Sequence, residues 1–137
     1  MNCIFCDIVA RKSTAEILYE DDDILSFLDI RPVNFGHTLV IPKTHYENFI
    51  SVPDETLAKL ISATKKISSS IVESLNPDGF NVITNNGRAA GQSIYHFHFH
   101  IIPRYNDDDF NFRLNLKKYF GDSMKEYADK IRKAVNI

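Results

Sequence analysis

The segment 96–102 (HFHFHII) has the most evident capacity for chemistry, because histidines occupy positions 96, 98 and 100. Successive side chains of a strand point to opposite faces, so this alternation predicts a strand with three imidazoles on one face and apolar side chains on the other. Neighbouring imidazoles on such a face lie about 6.5–7 Å apart. One metal ion, with nitrogen bonds of about 2.0–2.1 Å, does not easily reach all three, so we expect the rings to serve neighbouring sites.

A neutral imidazole has two chemical uses in such a segment. Its unperturbed pKa is about 6.5, so at pH 7 it is mostly unprotonated and can act as a nucleophile or as a metal ligand. A solvent-facing strand with incidental histidines is the alternative, but three of the chain's five histidines fall in this one run. The spacing alone leaves metal-centred chemistry open.

Two cysteines, Cys3 and Cys6, lie near the N-terminus in the sequence CIFC. The disulfide framework of a secreted domain would need more cysteines. A redox dithiol, half of a metal site, and incidental thiols are the remaining interpretations. A thioredoxin-type redox motif accompanies a strand, and no strand is predicted before Cys3. The metal interpretation requires two further ligands.

The hydrophobic periodicity predicts a small α+β domain around the histidine segment. Apolar residues at three- and four-residue spacing favour one long helix and two shorter ones, at 54–75, 4–11 and 122–135. Short apolar runs predict five strands, at 16–20, 24–29, 37–42, 80–85 and 96–102. Because the strands outnumber the helices and lack regular strand–helix alternation, we expect a single domain, 1–137, with a five-stranded, mostly antiparallel sheet.

Composition and charge exclude several classes of protein. The 137 residues are 44% hydrophobic and 25% charged, as in ordinary globular domains. A net charge of −2 provides no global field that would attract nucleic acid. No stretch approaches the ~20 apolar residues of a membrane span, and the N-terminus lacks the layout of a signal peptide. We therefore expect a cytoplasmic protein that binds neither nucleic acid nor membranes.

Several motifs accompany the histidine segment in a fixed order along residues 3–105. They are CIFCDI at the N-terminus, FLDIRP at the end of the second predicted strand, GHTLVIPKTH at 36–45, and NNG…GQSIYHFHFHIIP at 85–103. Together they resemble the motifs of the histidine triad (HIT) family, whose signature is His-x-His-x-His-x-x with apolar x. The resemblance is nearest to a bacterial-type, zinc-containing branch similar to nucleoside phosphoramidases. Residues 106–137 form a C-terminal extension without a family motif.

The resemblance implies a nucleotide hydrolase that attacks the α-phosphate of nucleoside phosphoramidates or related nucleotides. His98 would be the nucleophile, and a covalent nucleotidyl-histidine would be hydrolysed by water to release a nucleoside monophosphate. His100 would donate to a phosphate oxygen or relay a proton, His37 would support this pair, and Ser93 would lie near the leaving group. Dinucleoside polyphosphate hydrolysis, nucleotidyl transfer, and a nucleotide-binding interaction module with little catalysis are the alternatives.

The family also implies how a purine nucleotide, with an AMP or GMP moiety, would be held. Asp29 would accept hydrogen bonds from the ribose hydroxyls, and Ser13 stands where some relatives have an apolar side chain in the base pocket. Phosphate or ribose contacts are implied for Asn85, Gly91, Gln92 and Ser93, together with His98 and His100. The apolar slot for the base, with weak discrimination between adenine and guanine, is implied for Phe5, Ile8, Phe27 and Ile30.

Some members of this branch bind a zinc ion through positions that match Cys3, Cys6, His45 and His96. A Cys₂His₂ set leaves no open coordination position, so one zinc per chain would be structural and would tie the N-terminal helix to the sheet. A pair of reduced, partly buried thiols is the alternative. Family members are commonly homodimers joined through the long helix and the strand beside it, and the predicted helix 54–75 is compatible with that arrangement.

Overall fold

The computed structural model describes residues 2–135, in which three helices accompany a five-stranded sheet. The helices are α1 (Ile4–Val9), α2 (Asp54–Leu75) and α3 (Ser123–Ala134). The strands are β1 (Ile17–Glu20), β2 (Ile24–Leu28), β3 (Thr38–Pro42), β4 (Gly79–Ile83) and β5 (Phe99–Arg104). The predicted α+β class and antiparallel sheet are confirmed. Within residues 2–135, no helix combines the length and apolar character needed to cross a membrane.

The histidine segment leads into the interior of the sheet. The strand order is β1-β2-β3-β5-β4, and every neighbouring pair is antiparallel. β5 lies between β3 and the edge strand β4, so His100 is paired with Leu39 on one side and with Ile83 on the other. Strand pairing on both sides therefore fixes the direction in which the His100 ring leaves the sheet.

Different helices cover the two faces of the sheet. The core under α2 contains alternate residues of the histidine segment, and its members include Leu60, Ile67, Ile71, Phe97, Phe99 and Ile101. The core under α1 includes Phe5, Ile8, Leu25, Phe27, Leu39 and Ile41. At 1.5 Å per residue, the six residues of α1 span only about 9 Å. Because α1 is too short to cover its face completely, the histidines beside it border a cleft.

β5 begins three residues later than the alternation predicts and ends two residues later, at Phe99 and Arg104. The backbone N–H of Phe97 donates to the carbonyl oxygen of Tyr46 at 2.6 Å. Residues 96–98 are therefore attached to the segment that follows β3, outside the strand ladder. The position of the predicted strand is correct, but both of its ends are wrong, because an alternating pattern does not reveal where pairing starts.

Two other elements, α1 and β4, end two residues earlier than predicted. α1 ends at Val9 because Arg11 has a φ of 61°, which a right-handed helix cannot contain. β4 ends at Ile83, and the next residue, Thr84, donates through its hydroxyl to the carbonyl oxygen of His98 at 2.9 Å. Asn85, expected at the end of this strand, consequently lies in the following loop.

Residues 109–135, called the C-terminal arm below, extend from the end of the sheet. Arg104 holds the root of the arm through two hydrogen bonds to the Asp108 carboxylate, at 2.8 and 2.9 Å. Asn34 also donates to this carboxylate, at 3.0 Å. These contacts, that with Arg104 above all, hold the pKa of Asp108 well below its usual range. Every residue from 111 to 122 is exposed, and α3 has no buried residue.

Candidate active site and metal centre

A cleft of about 550 Å³ opens beside α1 on the histidine face of the sheet. α1 lines one side, and the end of β2 with the residues after it lines another. Eight of the predicted site residues line it: Phe5, Ile8, Phe27, Asp29, Ile30, Ser93, His98 and His100. Its volume is in the range of small-molecule sites, and its lining combines many apolar side chains with a few polar groups, as is typical of such sites.

The backbone fixes the orientation of the His98 ring at the cleft. Its Nδ1–H donates to the carbonyl oxygen of His96 at 2.7 Å, and Phe5 packs edge-on against the ring, with centroids 5.2 Å apart. Because Nδ1 carries the proton, Nε2 keeps a free lone pair. Burial lowers the pKa of His98, so the ring is neutral at pH 7. Nε2 of His98 therefore has the unprotonated lone pair that a nucleophile requires.

A second hydrogen-bonded chain of histidines fixes the proton on His100. The backbone N–H of Val33 donates to Nδ1 of His37 at 3.1 Å, so the His37 proton is on Nε2. This Nε2–H donates to Nδ1 of His100 at 2.9 Å, which leaves the His100 proton on its own Nε2. The chain therefore makes Nε2 of His100 a hydrogen-bond donor, with its ring centroid 4.8 Å from that of His98.

Burial keeps this second pair neutral. It lowers the pKa of His100 to about 4, and the charges that His98 and His37 would carry if protonated act in the same direction. Burial also lowers the pKa of His37, which is only 4% exposed and lies behind His100, outside the cleft lining. Both rings are uncharged at pH 7, as a donor chain with one proton per ring requires.

Asp29 brings a carboxylate to the edge of the cleft. One of its oxygens accepts from the backbone N–H of Arg31 at 2.9 Å, and the other lies 3.7 Å from Nε2 of His37. Within residues 2–135 this second oxygen accepts no hydrogen bond, so its lone pairs remain available to a ligand donor. Ile30, which follows it, is 89% exposed and stands at the mouth of the cleft.

Buried contacts hold the loop that precedes the histidine segment. Gly91 has a φ of 93°, a left-handed conformation that favours glycine. The Gln92 side chain accepts from the Gly87 N–H at 2.8 Å and donates to a backbone carbonyl at 2.7 Å, so it is engaged within the protein. Asn85 Nδ2 would lie 3.8 Å from a Cβ added at Gly91. Ser93 lines the cleft, whereas Asn85, Gly91 and Gln92 lie outside its lining and position the loop.

The cleft also contains residues that the sequence patterns did not single out. They are Ile4, Thr14, Ala15, Leu28, Arg31, Leu39 and Ile94. Leu39 had a detectable signal, because it alternates with residues of the other face on β3 and pairs with His100. Ser13 does not line the cleft, whereas the next two residues, Thr14 and Ala15, do. Their position depends on the turn after α1, and residue spacing does not predict that turn.

Two cysteines and two histidines meet at the N-terminus of α1. The ligand atoms of Cys3, Cys6, His45 and His96 all lie within 4.8 Å of one another. Nδ1 of His96 lies 3.5 Å from each sulfur and 3.2 Å from Nδ1 of His45. Tetrahedral zinc, with bonds of about 2.3 Å to sulfur and about 2.0–2.1 Å to nitrogen, places nitrogen and sulfur about 3.6 Å apart and two nitrogens about 3.3 Å apart. The four side chains therefore fit a zinc ion.

The hydrogen bonds of this Cys/His cluster also favour metal coordination. Nε2–H of His96 donates to the carbonyl oxygen of Pro42 at 2.8 Å, so Nδ1 is unprotonated, as a metal ligand must be. Burial lowers the pKa of His96 to about 4. Burial, followed by the hydrogen bond that the Cys6 thiol makes to Cys3, raises the pKa of Cys6 to about 11, and a coordinated cation is what turns such a thiol into a thiolate. The first histidine of the segment thus faces the Cys/His cluster, while the other two face the cleft.

Comparison with known proteins decides the family. The model of the HIT domain family matches residues 10–107. The chain belongs to the HIT family. The crystal structure of a HIT family member from Bacillus subtilis superposes on it with a TM-score of 0.93 at 41% identity, and covers 100% of this chain and 99% of that chain.

Two further relatives of this HIT protein bear on its chemistry. A zinc-bound histidine triad family protein from Mycobacterium smegmatis superposes with a TM-score of 0.77 at 42% identity, with 85% of each chain covered. Adenylylsulfatase HINT3 from Arabidopsis thaliana is 45% identical over 107 residues, which are 78% of this chain and 54% of that protein. The HIT domain is generally a nucleotide-binding and hydrolase domain, and this chain carries a Cys/His cluster that suits a metal ion.

Proposed function

We propose that this HIT protein is a nucleotide hydrolase of the zinc-containing, phosphoramidase-like branch. It cleaves nucleoside phosphoramidates or related nucleotides at the α-phosphate and releases a nucleoside monophosphate. The observation that carries the proposal is the fixed tautomer of His98, whose Nδ1–H is bound to the His96 carbonyl. Its unprotonated Nε2 is thereby free beside a cleft whose other histidine, His100, presents an N–H donor.

In the first step, Nε2 of His98 attacks the α-phosphorus in line with the leaving group. A nitrogen–phosphorus bond forms, and the bond from phosphorus to the leaving nitrogen breaks with its electron pair. The leaving nitrogen takes up a proton from solvent, relayed through the Ser93 hydroxyl, which lines the cleft. The product is an amine and a nucleotidyl group bound to His98.

In the second step, water attacks the same phosphorus from the side opposite His98. The bond between phosphorus and His98 breaks, its electron pair returns to Nε2, and the water supplies the hydroxyl of the released monophosphate and returns a proton to solvent. Since Nδ1–H stays bound to the His96 carbonyl throughout, the ring returns to its starting tautomer. Two easier displacements replace a difficult one.

His100 contributes to both steps as a hydrogen-bond donor. Phosphoryl-type transfer depends mainly on positioning and on stabilisation of the charge on the phosphoryl oxygens. Nε2–H of His100 is directed by His37 and donates to a non-bridging oxygen of the α-phosphate. Because both donor rings are neutral, the oxygen is stabilised by an oriented dipole in a partly buried site.

The remaining lining recognises the nucleoside. The free oxygen of Asp29 accepts from the ribose 2′- and 3′-hydroxyls, and the wall of α1 supplies an apolar slot through Phe5 and Ile8. Phe27 on β2 and Ile30, which follows this strand, complete the slot. A slot with few polar groups binds purines through burial of apolar surface, so adenine and guanine are discriminated weakly.

Zinc held by Cys3, Cys6, His45 and His96 would have no open position and would supply structural cross-linking rather than catalysis. These side chains join the N-terminus of α1 to the segment after β3 and to the histidine segment. Phe5, on the same helix, packs against the rings of both His96 and His98, with centroids 5.8 and 5.2 Å away. The metal centre therefore positions the wall against which the nucleophile rests.

Adenylyl sulfate is a second candidate substrate. The specific observation in its favour is the relative named adenylylsulfatase HINT3, which shares 45% identity over the matched region. The same attack by His98 applies, with sulfate as the leaving group. Because sulfate leaves without needing a proton at neutral pH, its hydrolysis depends less on the Ser93 hydroxyl than that of a phosphoramidate.

We also propose that the active form is one domain spanning 1–137 and a cytoplasmic homodimer. Both cysteines are free thiols, which are typical of reducing compartments, and this supports the location. A groove of about 530 Å³ between α2 and β4 supports the dimer, because apolar side chains such as Ile61, Val72, Phe80 and Val82 line it. These four side chains are 40–53% exposed, as expected for a surface that a second copy covers.

The proposed function is tested by steady-state kinetics on three substrates: adenosine 5′-phosphoramidate, adenylyl sulfate and a diadenosine polyphosphate. We expect the highest kcat/KM for the phosphoramidate. His98→Asn should lower kcat by at least about 10³-fold, because the nucleophile is removed, while calorimetry shows unchanged AMP binding. If the wild-type protein binds AMP but turns over none of the three, it is a nucleotide-binding module and the proposal is wrong.

A further inference from the structure

The extended part of the C-terminal arm has an apolar side that its own chain leaves uncovered. Apolar residues at positions 112, 114 and 116 alternate with Arg113, Asn115 and Lys117. This alternation is typical of a strand with one buried face. The segment nevertheless lies outside the sheet, and Leu114 and Leu116 are 69% and 86% exposed.

The helical part of the arm has the same property. The apolar side of α3 is formed by Met124, Tyr127 and Ile131, which are 56–65% exposed. An isolated helix of 12 residues is only marginally stable in water, and most helices in proteins depend on the packing of an apolar face. The exposed ion pair between Lys125 and Asp129 adds little. A surface outside this chain is therefore needed to hold α3.

The comparison with solved structures indicates where this surface comes from. The arm makes up about a fifth of the chain, so a superposition that misplaced it could not reach the score found for the Bacillus subtilis protein over the full chain. The arm thus has the same placement in that crystal. That protein is a HIT family member like this one, so a second copy of the same chain is a partner that can hold the arm in both proteins.

Charge supports a second copy as the occupant. The arm carries seven basic and four acidic side chains, whereas residues 1–108 carry nine basic and fourteen acidic ones. A basic arm and an acidic body attract each other, and two identical chains can satisfy both surfaces at once in a symmetric dimer.

The root of the arm directs it toward the edge of the sheet. Arg104 lies on the same face of β5 as His100, four residues earlier, and donates to Asn81 on β4 at 2.8 Å. Because Asp108 is bound to Arg104, the arm leaves from the histidine face next to β4. β4 has a neighbouring strand on one side only, so a second copy that adjoins this edge lies in the path of the arm.

We propose that the C-terminal arm packs against a second copy of this chain, so that two copies exchange arms in a symmetric dimer. Arm exchange rests on the proposed function only for the existence of a dimer, and it adds the arm as a main part of the dimer interface. The apolar side of the arm faces the second copy, and its polar side, which includes Asn115, faces solvent. The arm is consequently ordered only when the second copy is bound.

Two measurements on the full-length chain test this proposal: sedimentation equilibrium, and amide hydrogen exchange of peptides from α3. The test variant is the double substitution Leu114→Ala/Leu116→Ala, and the matched control is Asn115→Ala on the polar side of the same segment. We expect wild-type α3 to be protected in the dimer and to lose protection on dilution. The double variant should raise the dimer dissociation constant at least tenfold and expose α3, whereas Asn115→Ala should do neither.

Three results would overturn arm exchange. They are a wild-type dimer whose α3 exchanges freely, a monomer whose α3 is protected, and a double variant that leaves both dissociation and protection unchanged. The first result would still allow a dimer formed through α2 and β4, so it distinguishes that interface from arm exchange. Turnover of the phosphoramidate is measured independently, so failure of the arm proposal is distinguishable from failure of the catalytic one.

Discussion

The hydrogen bond from His37 to His100 offers a sharp test of the catalytic geometry, because two amide substitutions separate its two ends. In His37→Asn, the amide oxygen lies near the former Nδ1 and still accepts from the Val33 N–H, but nothing donates to His100. In His37→Gln, the longer amide places an N–H near the former Nε2 and restores the donor to His100. His37 is buried, and both replacements are polar and of similar size, so they serve as a matched pair.

The magnitude follows from the charge that His100 stabilises. A hydrogen bond that acts on a charged group contributes about 1.5–3 kcal/mol, which corresponds to about 10–150-fold in rate. His37→Asn lets the His100 proton move to Nδ1 and removes the donor that faces the phosphate. We therefore expect kcat for the phosphoramidate to fall by about 10–150-fold in His37→Asn and by much less in His37→Gln. The KM should change little, because the interaction strengthens in the transition state.

Kinetics and nitrogen-15 NMR together provide the assay. The NMR shifts report which ring nitrogen of His100 is protonated, and we expect Nε2–H in the wild-type protein and in His37→Gln. In His37→Asn the two tautomers should be mixed. Equal rates for wild type and His37→Asn would refute the donor chain. Equal losses in both variants, with the Nε2–H tautomer preserved, would show that His37 acts only by filling space.

Three further predictions concern pH, the metal centre and the ribose. Burial lowers the pKa of His98, and it lowers the pKa of His100 to about 4. Catalysis requires both rings to be neutral, so kcat/KM should stay flat from pH 8 to below 6.5 and decline only at lower pH. A decline centred at the ordinary histidine pKa of about 6.5 would contradict this prediction. The groups facing His100 are His37, His98 and Asp29, and of these only Asp29 raises its pKa. His45→Ala should abolish the binding of one zinc per chain, measured by plasma emission spectrometry. It should also lower the melting temperature by about 5–10 °C, which corresponds to a loss of about 2 kcal/mol in the free energy of unfolding. An unchanged zinc content would exclude this metal centre. Asp29→Asn should raise the KM for ribonucleotides about tenfold and leave that for 2′,3′-dideoxynucleotides unchanged, and an equal effect on both would remove the ribose contact.

Much of the site could be predicted from the sequence because its parts lie on regular elements. Period-two alternation placed the imidazoles of the histidine segment opposite Phe97 and Phe99, and the strand pairing of β5 preserves that division. The apolar spacing likewise predicted the helix α2, and Leu60, Ile67 and Ile71 pack under the sheet at that spacing. Ile61, Val72 and Leu75 share the same spacing but are exposed. Regular geometry converts sequence spacing into position, so such predictions transfer directly to three dimensions.

The parts that could not be predicted depend on loops and on long-range contacts. Spacing did not show that Gln92 would be engaged by Gly87 within its own loop, because that contact depends on the turn at 88–90. It also did not show that His96 would leave the strand ladder, which depends on the bond between Phe97 and Tyr46, 51 residues apart in sequence. The alternation at 112–117 forms no strand within residues 2–135, and the surface that we propose for it belongs to a second copy of the chain.

The most direct test of the account is mass spectrometry of a reaction quenched with acid-free denaturant during turnover of adenosine 5′-phosphoramidate. The account predicts one adenylyl group per active chain, attached to the peptide that contains His98 and absent in His98→Asn. Steady turnover with no adenylylated peptide in a rapid quench, or with the label on His100 or His37, would contradict the assignment of His98 as the nucleophile.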